Sequence, residues 1–305
     1  MKGKDLVSIA DLSGEDIWLL LNRAVALKKT GRSSALSGRS LALIFEKPSL
    51  RTRVSFDIAM HQLGGHAIYL SDAEVGLGKR EPVADVARVL SRYVDAIVAR
   101  TFAHRTMELL AQHATVPVIN GLSDHEHPCQ ALGDLLTIYE KKGKLKGLTL
   151  AYIGDGNNVA NSLLLAASLV GMNFSIASPD GYRISDPVLR RAQGFAAKSG
   201  ASIVCTAQPQ EAARGADILY TDVWTSMGQE AEAQQRRIAF AGYQINASLL
   251  ALAGKEALLM HPLPAHHGEE VAQGILDSPQ SVVFDQAENR LHAQKAVLLE
   301  LMARP

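Results

Sequence analysis

Cysteine is scarce: Cys129 and Cys205 are the only two in 305 residues, and they form no C-x-x-C pair. That excludes a disulfide framework and points to a reducing compartment, the cytoplasm. Net charge is absent as well, with 31 basic residues balancing 31 acidic ones. No global attraction to nucleic acid or to an anionic membrane surface is expected. Long apolar runs are missing too. The longest clean stretch, Leu163 to Met172, is about ten residues, against the roughly 20 a membrane span needs. Met1-Lys2-Gly3-Lys4-Asp5 has neither the apolar core of a signal peptide nor the acid-poor start of a transit peptide, so no targeting leader is expected.

Several catalytic signatures are also wanting. Ser49 has no G-x-S-x-G elbow around it, and no G-x-x-x-x-G-K-[ST] loop occurs, which argues against acyl-enzyme chemistry and nucleotide triphosphate hydrolysis. His125 and His127, like His266 and His267, lack an H-E-x-x-H or cysteine-rich ligand pattern, so no metal is expected. Gly154-Asp155-Gly156-Asn157-Asn158-Val159 has the outline of a dinucleotide fingerprint, but Val159 stands at its third glycine position. Cys129 reads as a small buried residue rather than a nucleophile.

What remains is an ordinary globular composition, 47% hydrophobic and 20% charged, in a chain long enough for two domains of roughly 150 residues. Ser13 and Asp16 form a capping box that starts a helix running toward Lys29. Short apolar runs follow at 41–45, 67–70, 96–99 and 116–119, separated by helical patterns near 51–63, 82–93, 104–113 and 128–140. A second series places strands at 149–153, 174–177, 202–205, 218–221 and 258–260, with helices near 159–170, 187–199 and 246–253. The alternation predicts an α/β fold: two doubly wound parallel-sheet domains with the active site in the cleft between them. The basic stretch 141–147 reads either as the inter-domain boundary or as an exposed loop within one sheet. Taken as the boundary, it gives domains 1–140 and 141–285, with a closing helix over 286–305 joined to the first. The polar, Gly/Gln-rich stretch 224–243 is expected to be a long functional loop, a lid over the second substrate.

In open α/β sheets ligands gather beyond the carboxyl ends of the strands. Reading those ends in order, the first half offers Ser49-Leu50-Arg51-Thr52-Arg53, Arg100-Thr101 and His125 to Gln130. These are cations and neutral donors, suited to a phosphate and a carbonyl. The first group reads either as an ordinary helix N-cap with surface arginines or as an anion site. The second half offers Asp155 to Asn158, Asp222 to Gly228 and His261-Pro262-Leu263-Pro264, a set suited to a zwitterionic amino acid. One half prepared for an anion and the other for an amine implies a two-substrate transfer.

Ser49-x-Arg51-Thr52-Arg53, His127-Pro128-x-Gln130, Asp222 with Ser226-Met227-Gly228, and the Leu263-Pro264 turn resemble the aspartate/ornithine carbamoyltransferase family, in the family's order from about residue 40 to 295. Ser226-Met227-Gly228 and Asp155-Gly156-Asn157-Asn158 are similar to the signatures of the ornithine members. The arginine-rich segment of the aspartate members is absent, since no Arg or Lys lies between Leu150 and Ala177. The chain departs from the pattern at Pro262, where ornithine members usually carry cysteine, and at Gly76, where many members have a glutamine that reaches a neighbouring subunit's site. Lys79, close by, is similar to a catalytic lysine of the aspartate members.

The resemblance implies transfer of a carbamoyl group from carbamoyl phosphate to L-ornithine, without metal or cofactor, in a homotrimer or a multiple of trimers. By the same resemblance Ser49, Leu50, Arg51, Thr52 and Arg100 hold phosphate, with Gly76 in the same subsite. Thr52, Arg100 and His127 donate to the carbamoyl oxygen, and Gln130 serves its amide. Leu263 offers a backbone carbonyl, and Arg290 closes that side. Asn158, Asp222, Ser226, Met227 and Pro262 are implied around ornithine. Catalytic weight falls on Arg51, Thr52, Arg100, His127 and Asp222. Sibling enzymes acting on aspartate, N-acetylornithine or putrescine are the alternative, and the Leu263-Pro264 bond is expected to be cis.

Overall fold

A computed structural model describes residues 1, 3–226 and 228–302. It divides the chain into two compact units, one of residues 1–136 and 288 onward, the other of residues 137–287.

The first unit starts with α1 (Gly14–Thr30), whose Ser13 Oγ accepts from the Asp16 N–H while Asp16 Oδ2 accepts from the Ser13 N–H, both at 3.0 Å. It continues through β1 (Ser40–Phe45), α2 (Leu50–Gln62), β2 (His66–Ser71), α3 (Asp72–Val75) and α4 (Val83–Leu90). β3 (Ala96–Arg100), α5 (His104–His113), β4 (Val118–Leu122) and α6 (Pro128–Lys142) follow. The four strands are parallel, in the order β2-β1-β3-β4. Ala42, Ile44, Ile97 and Ala99 share one face and pack against Val86, Ala87, Met107 and Leu110 of α4 and α5. The intervening Leu41, Leu43, Phe45 and Val98 are buried as well, as a sheet covered on both faces requires. β2 is different: as an edge strand it has no buried residue, with His66 and Ile68 exposed and the rest half-buried.

β4 begins and ends later than its apolar pattern indicates. Pro117 has no N–H to donate, so the ladder starts at Val118. The strand then runs on through Asn120 and Gly121, residues that usually mark a turn. Asn120 Nδ2 donates to the Val7 carbonyl at 2.9 Å, and a Cβ at Gly121 would lie 3.0 Å from the Ala99 carbonyl oxygen.

The second unit contains β5 (Thr149–Ile153), α7 (Asn158–Val170), β6 (Asn173–Ala177), α8 (Asp186–Ser199), β7 (Ile203–Thr206), α9 (Pro209–Ala213) and β8 (Ile218–Tyr220). After these come α10 (Ala233–Ala239), α11 (Ala247–Leu250), β9 (Leu258–Met260) and α12 (Val283–Met302), whose later turns belong to the first unit. Its five parallel strands run β7-β6-β5-β8-β9.

The expectation of one long loop over 224–243 is corrected here. A 3-10 turn (Glu230–Glu232) and α10 occupy its middle, and Trp224, Phe240 and Tyr243 belong to the core of this unit. The Trp224 and Phe240 rings stack with centroids 5.8 Å apart. A helix this short buries only one side, so its glutamines and arginines dominate the sequence and hide the two aromatic anchors. Among the described residues no helix is long and apolar enough to cross a membrane.

Candidate active site

In each sheet the strand order reverses once, and several of the residues singled out from sequence lie at or beside those two places. In the first unit the chain moves from β1 to β2 on one side and to β3 on the other. Phe45 and Arg100 are register partners, so the Ser49–Thr52 turn and Arg100 leave neighbouring strand ends. Such a switch point leaves a crevice at the carboxyl edge of the sheet.

Ser49 caps α2, its Oγ accepting from the Thr52 N–H at 3.3 Å. Leu50, at the first helical position, points outward and is 75% exposed. Thr52 is buried, and Arg290 of α12 donates from Nη2 to its Oγ1 at 2.7 Å. α12 comes that near because α6 carries glycine at 133, where a Cβ would meet Arg290 Cγ at 3.2 Å. The Arg100 guanidinium is pushed down to about 10 by burial first, then by Arg290 and Arg51. Arg100 Nε is buried without a hydrogen-bond partner. His127, just ahead of α6, is held well below the usual imidazole range by burial and then by Arg290, Arg100 and Arg51. It is therefore neutral at physiological pH. Buried Arg290 and half-buried Arg100 and Arg51, guanidinium groups that disfavour one another, make an anion site by electrostatics.

Two neighbours fix the rest of this half. Buried Glu126 accepts from Ser8 Oγ and from the Ile9 N–H at 3.0 Å, tying the loop before His127 to the amino-terminal segment. Gln130 donates from Nε2 to Asp134 Oδ1 at 2.8 Å, and its buried Oε1 has no partner. That oxygen can only accept, which suits an NH2 group.

Gly76 is not part of this arrangement of side chains. It is the left-handed cap of α3, after the edge strand β2, with φ 58°. A Cβ there would meet Arg80 Cβ at 2.7 Å, so the glutamine common in the family does not fit this loop. Lys79 is exposed and donates to Asp72 Oδ2 at 3.2 Å.

The second switch point lies between β5 and β8, with β6 on the other side of β5. Asn157 spans it. Its Oδ1 caps α7, accepting from the Val159 and Ala160 N–H groups at 3.0 and 3.1 Å, and its Nδ2 donates to Asp222 Oδ2 at 2.9 Å. Asn158 follows as the first residue of α7. The fingerprint-like glycines have packing reasons. Gly154 adopts φ 142°, and a Cβ on Gly156 would lie 2.3 Å from the Ile184 backbone nitrogen.

Burial raises the Asp222 carboxyl, opposed by His261, the Asn157 hydrogen bond and the Val223 N–H, with Glu270 adding to the rise. Behind it, His261 Nδ1 accepts from the Leu263 N–H at 2.9 Å while Nε2 faces Glu270 Oε1 at 3.2 Å. The Leu263-Pro264 bond is cis, as expected, and Leu263 has φ 56°. Buried Pro262 and half-buried Leu263 thus follow β9 in a turn fastened from behind. Ser226 is half-buried, its N–H bound to Gln229 Oε1 at 3.0 Å, and Met227 lies outside the described residues. His266, Glu269 and Glu270 place ligand-type atoms within 4.8 Å of one another, but Glu270 Oε1 is already committed to His261 and, at 2.6 Å, to the His266 N–H.

Glu270 and Arg236 were not singled out from sequence, because neither follows a strand end, whereas Asn157, His261 and Glu126 stood within the groups named there with no role of their own.

Two family models match the chain in succession. The carbamoyl-P binding domain of aspartate/ornithine carbamoyltransferases matches residues 4–140, and the Asp/Orn binding domain matches residues 146–301. The chain belongs to the aspartate/ornithine carbamoyltransferase family. It is 56% identical to an ornithine carbamoyltransferase of Anoxybacillus flavithermus over 99% of this chain and 98% of that one. It is 53% identical to the anabolic ornithine carbamoyltransferase of Pyrococcus furiosus over 99% and 97% of the two chains. The solved ornithine carbamoyltransferase of Pyrococcus furiosus superimposes with a TM-score of 0.96 at 52% identity, covering 99% of this chain and 97% of that one. The family's two-domain α/β plan is the one described above, with sheets of four and five parallel strands.

Proposed function

We infer that this chain transfers the carbamoyl group of carbamoyl phosphate to L-ornithine, giving L-citrulline and phosphate. The observation that carries the reading is the set of guanidinium groups around neutral, buried His127, in a family member whose second unit presents buried Asp222 at its switch point.

The chemistry follows from the groups present. The α2 N-terminus, Ser49, Arg51, Thr52 and Arg100 hold the phosphate, which leaves as a dianion. Arg100, Arg290 and His127 stabilise the oxyanion that forms when the ornithine side-chain amine attacks the carbamoyl carbon. Gln130 Oε1 accepts from the carbamoyl NH2 and orients it, as does the Leu263 carbonyl. Asp222 binds the α-ammonium, and Asn158, Ser226 and Met227 serve the α-carboxylate. The carbon–nitrogen bond forms first, the oxyanion then collapses with cleavage of the carbon–oxygen bond to phosphate, and the amine's proton passes to the departing phosphate, which leaves as the HPO4 dianion. Placement and electrostatics supply the acceleration, with no covalent intermediate.

Charge argues against the sibling substrates. A second substrate carboxylate, as in aspartate, would approach Asp222 with no Arg or Lys in 150–177 to hold it. Putrescine lacks the groups that Asp222 and Ser226 suit. Citrulline formation from carbamoyl phosphate and ornithine, beside aspartate, N-acetylornithine and putrescine, is the test. Higher turnover with any of the three would replace the reading.

The assembly we propose is a homotrimer, in the cytoplasm. Leu50, Val54 and Ile58 line one side of α2 and are 75%, 48% and 38% exposed, an apolar stripe that a second copy would cover. Sedimentation at micromolar concentration should give three times the 32.8 kDa chain mass or a multiple of it.

A further inference from the structure

Arg236 has no part in the reaction as derived, yet it is among the most buried cations of the second unit, 6% exposed. From α10 its Nη1 donates to Asp155 Oδ2 at 2.7 Å and to the Trp224 carbonyl at 3.0 Å. Its Nε donates to Glu232 Oε2 at 3.1 Å, and the guanidinium lies 4.9 Å from the Tyr182 ring centroid. A single side chain thus joins the end of β5, the segment that follows β8, and α10.

We propose that Arg236 is a positioning residue for the amino-acid substrate. It fastens the 224–226 segment to the end of β5 and neutralises Asp155, so that the charge of Asp222 is left for the ornithine ammonium. The proposal rests on the ornithine reading above and adds to it a residue with no contact to substrate.

Two observations support it independently. The first is mechanical. Trp224 Nε1 and Thr225 Oγ1 are buried without hydrogen-bond partners, which disfavours the observed path of this segment. The path therefore needs an anchor from outside the segment. The Arg236 bond to the Trp224 carbonyl is that anchor, and Ser226 lies two residues beyond it.

The second is electrostatic. Burial raises the Asp155 carboxyl, Arg236 opposes the rise, and Asp222 and Glu232 add to it. Asp222 faces His261, which opposes its rise, and Glu270, which adds to it. Two interacting buried carboxylates do not both ionise readily without a cation. Removing Arg236 takes away the group that opposes the rise of Asp155, so the carboxylate pair holds a proton to higher pH and presents less charge to the ammonium.

The experiment compares the intact enzyme with Arg236→Gln, Arg236→Lys and the double variant Asp155→Asn/Arg236→Gln. The readouts are kcat/KM for each substrate across pH and amide hydrogen exchange of peptides covering 222–229. Arg236→Gln should raise the ornithine KM about tenfold or more while the carbamoyl phosphate KM stays within about twofold. Its acid limb in kcat/KM for ornithine should move up by about one pH unit. Lysine should return the limb toward its wild-type position, because the charge is restored, but recover only part of the KM. The double variant should also restore the limb, because the competing carboxylate is gone. Exchange over 224–229 should quicken in Arg236→Gln.

An unmoved acid limb, or equal rises in both KM values, would overturn the proposal. If Arg236→Gln does not fold, Arg236→Lys decides: a wild-type ornithine KM, or one raised equally for both substrates, overturns it. Wild-type enzyme that made no citrulline would refute the substrate reading instead, and the exchange comparison would still report whether Arg236 holds the segment.

Discussion

Arg290 and Thr52, 238 positions apart, meet at 2.7 Å, with Arg290 Nη2 donating to Thr52 Oγ1. A hydroxyl has two acceptor sites and one proton. Because guanidinium can only donate, this contact occupies an acceptor site of Thr52 and directs its proton elsewhere, toward an incoming oxygen. The pair thus turns a helix-start threonine into an oriented donor.

Thr52→Val keeps the shape and removes both functions. It should raise the KM for carbamoyl phosphate and lower kcat, whereas Thr52→Ser should retain most activity. Arg51→Ala and Arg100→Ala should do more harm. A charge-assisted hydrogen bond contributes roughly 1.5–3 kcal/mol, so each loss should cost roughly tenfold to hundredfold in kcat/KM. Near-normal kcat/KM for carbamoyl phosphate in Arg51→Ala would contradict the anion site.

Asp222 is expected to set the acid side of the pH profile. Its carboxyl is raised, so it takes up a proton at a higher pH than an ordinary aspartate as the solution is acidified. Ornithine use should fall correspondingly early. On the alkaline side activity should climb, because the attacking side-chain amine titrates near ~10 and only its neutral form is a nucleophile. Asp222→Asn should damage ornithine KM far more than carbamoyl phosphate KM. Equal losses for the two substrates would contradict the division of labour.

His127 should stay neutral where other histidines titrate. Burial and three neighbouring guanidinium groups hold it down, so protonation is lost as pH rises through a value well below the usual ~6.5. In nitrogen-detected NMR, with His127→Gln supplying the assignment, its ring signals should keep the neutral-form shifts from about pH 6 to about pH 8. Adding phosphate supplies opposing charge and should move its titration upward. A midpoint near that of a free histidine would show that the guanidinium groups do not surround it.

Gly156→Ala should separate packing from cofactor binding. An added Cβ meets main-chain atoms of Arg183 and Ile184 at 2.3–2.9 Å, which no side-chain rotation relieves. Overpacking of this kind costs typically about 1–3 kcal/mol. The melting temperature should fall by several degrees, and ornithine KM should rise as the turn carrying Asn157 shifts. A stable variant with unchanged kinetics would show that the 183–184 segment gives way freely.

Much of the fold was legible because burial writes itself into a chain locally. A strand covered on both faces must be apolar throughout, and Leu41–Phe45 and Leu150–Ile153 are. A helix start needs a side-chain acceptor, and Ser13 and Ser49 are where the capping patterns put them. Chemistry-bearing side chains stand at or beyond strand ends, so Arg51, Arg100, His127 and Asp222 could be singled out as candidates without any contact map. Where apolar content was low the reading failed: the polar end of β4 and the helix within 224–243 are stabilised by Val7 and by the Trp224–Phe240 stack, partners distant in sequence.

The sequence by itself determined the alternating α/β plan, the separation of cationic from acidic strand ends and the family. Each depends on residue type and short-range periodicity, which need no knowledge of neighbours in space. Only the tertiary structure decided which groups are charged, which way they donate and what holds them. Arg100 and His127 owe their lowered proton affinity first to burial and then to guanidinium groups brought in from other elements, and Asp222 is held by Asn157, 65 residues earlier. Such properties are sums of Coulomb energy, desolvation and hydrogen bonding over groups that meet only once the chain has folded.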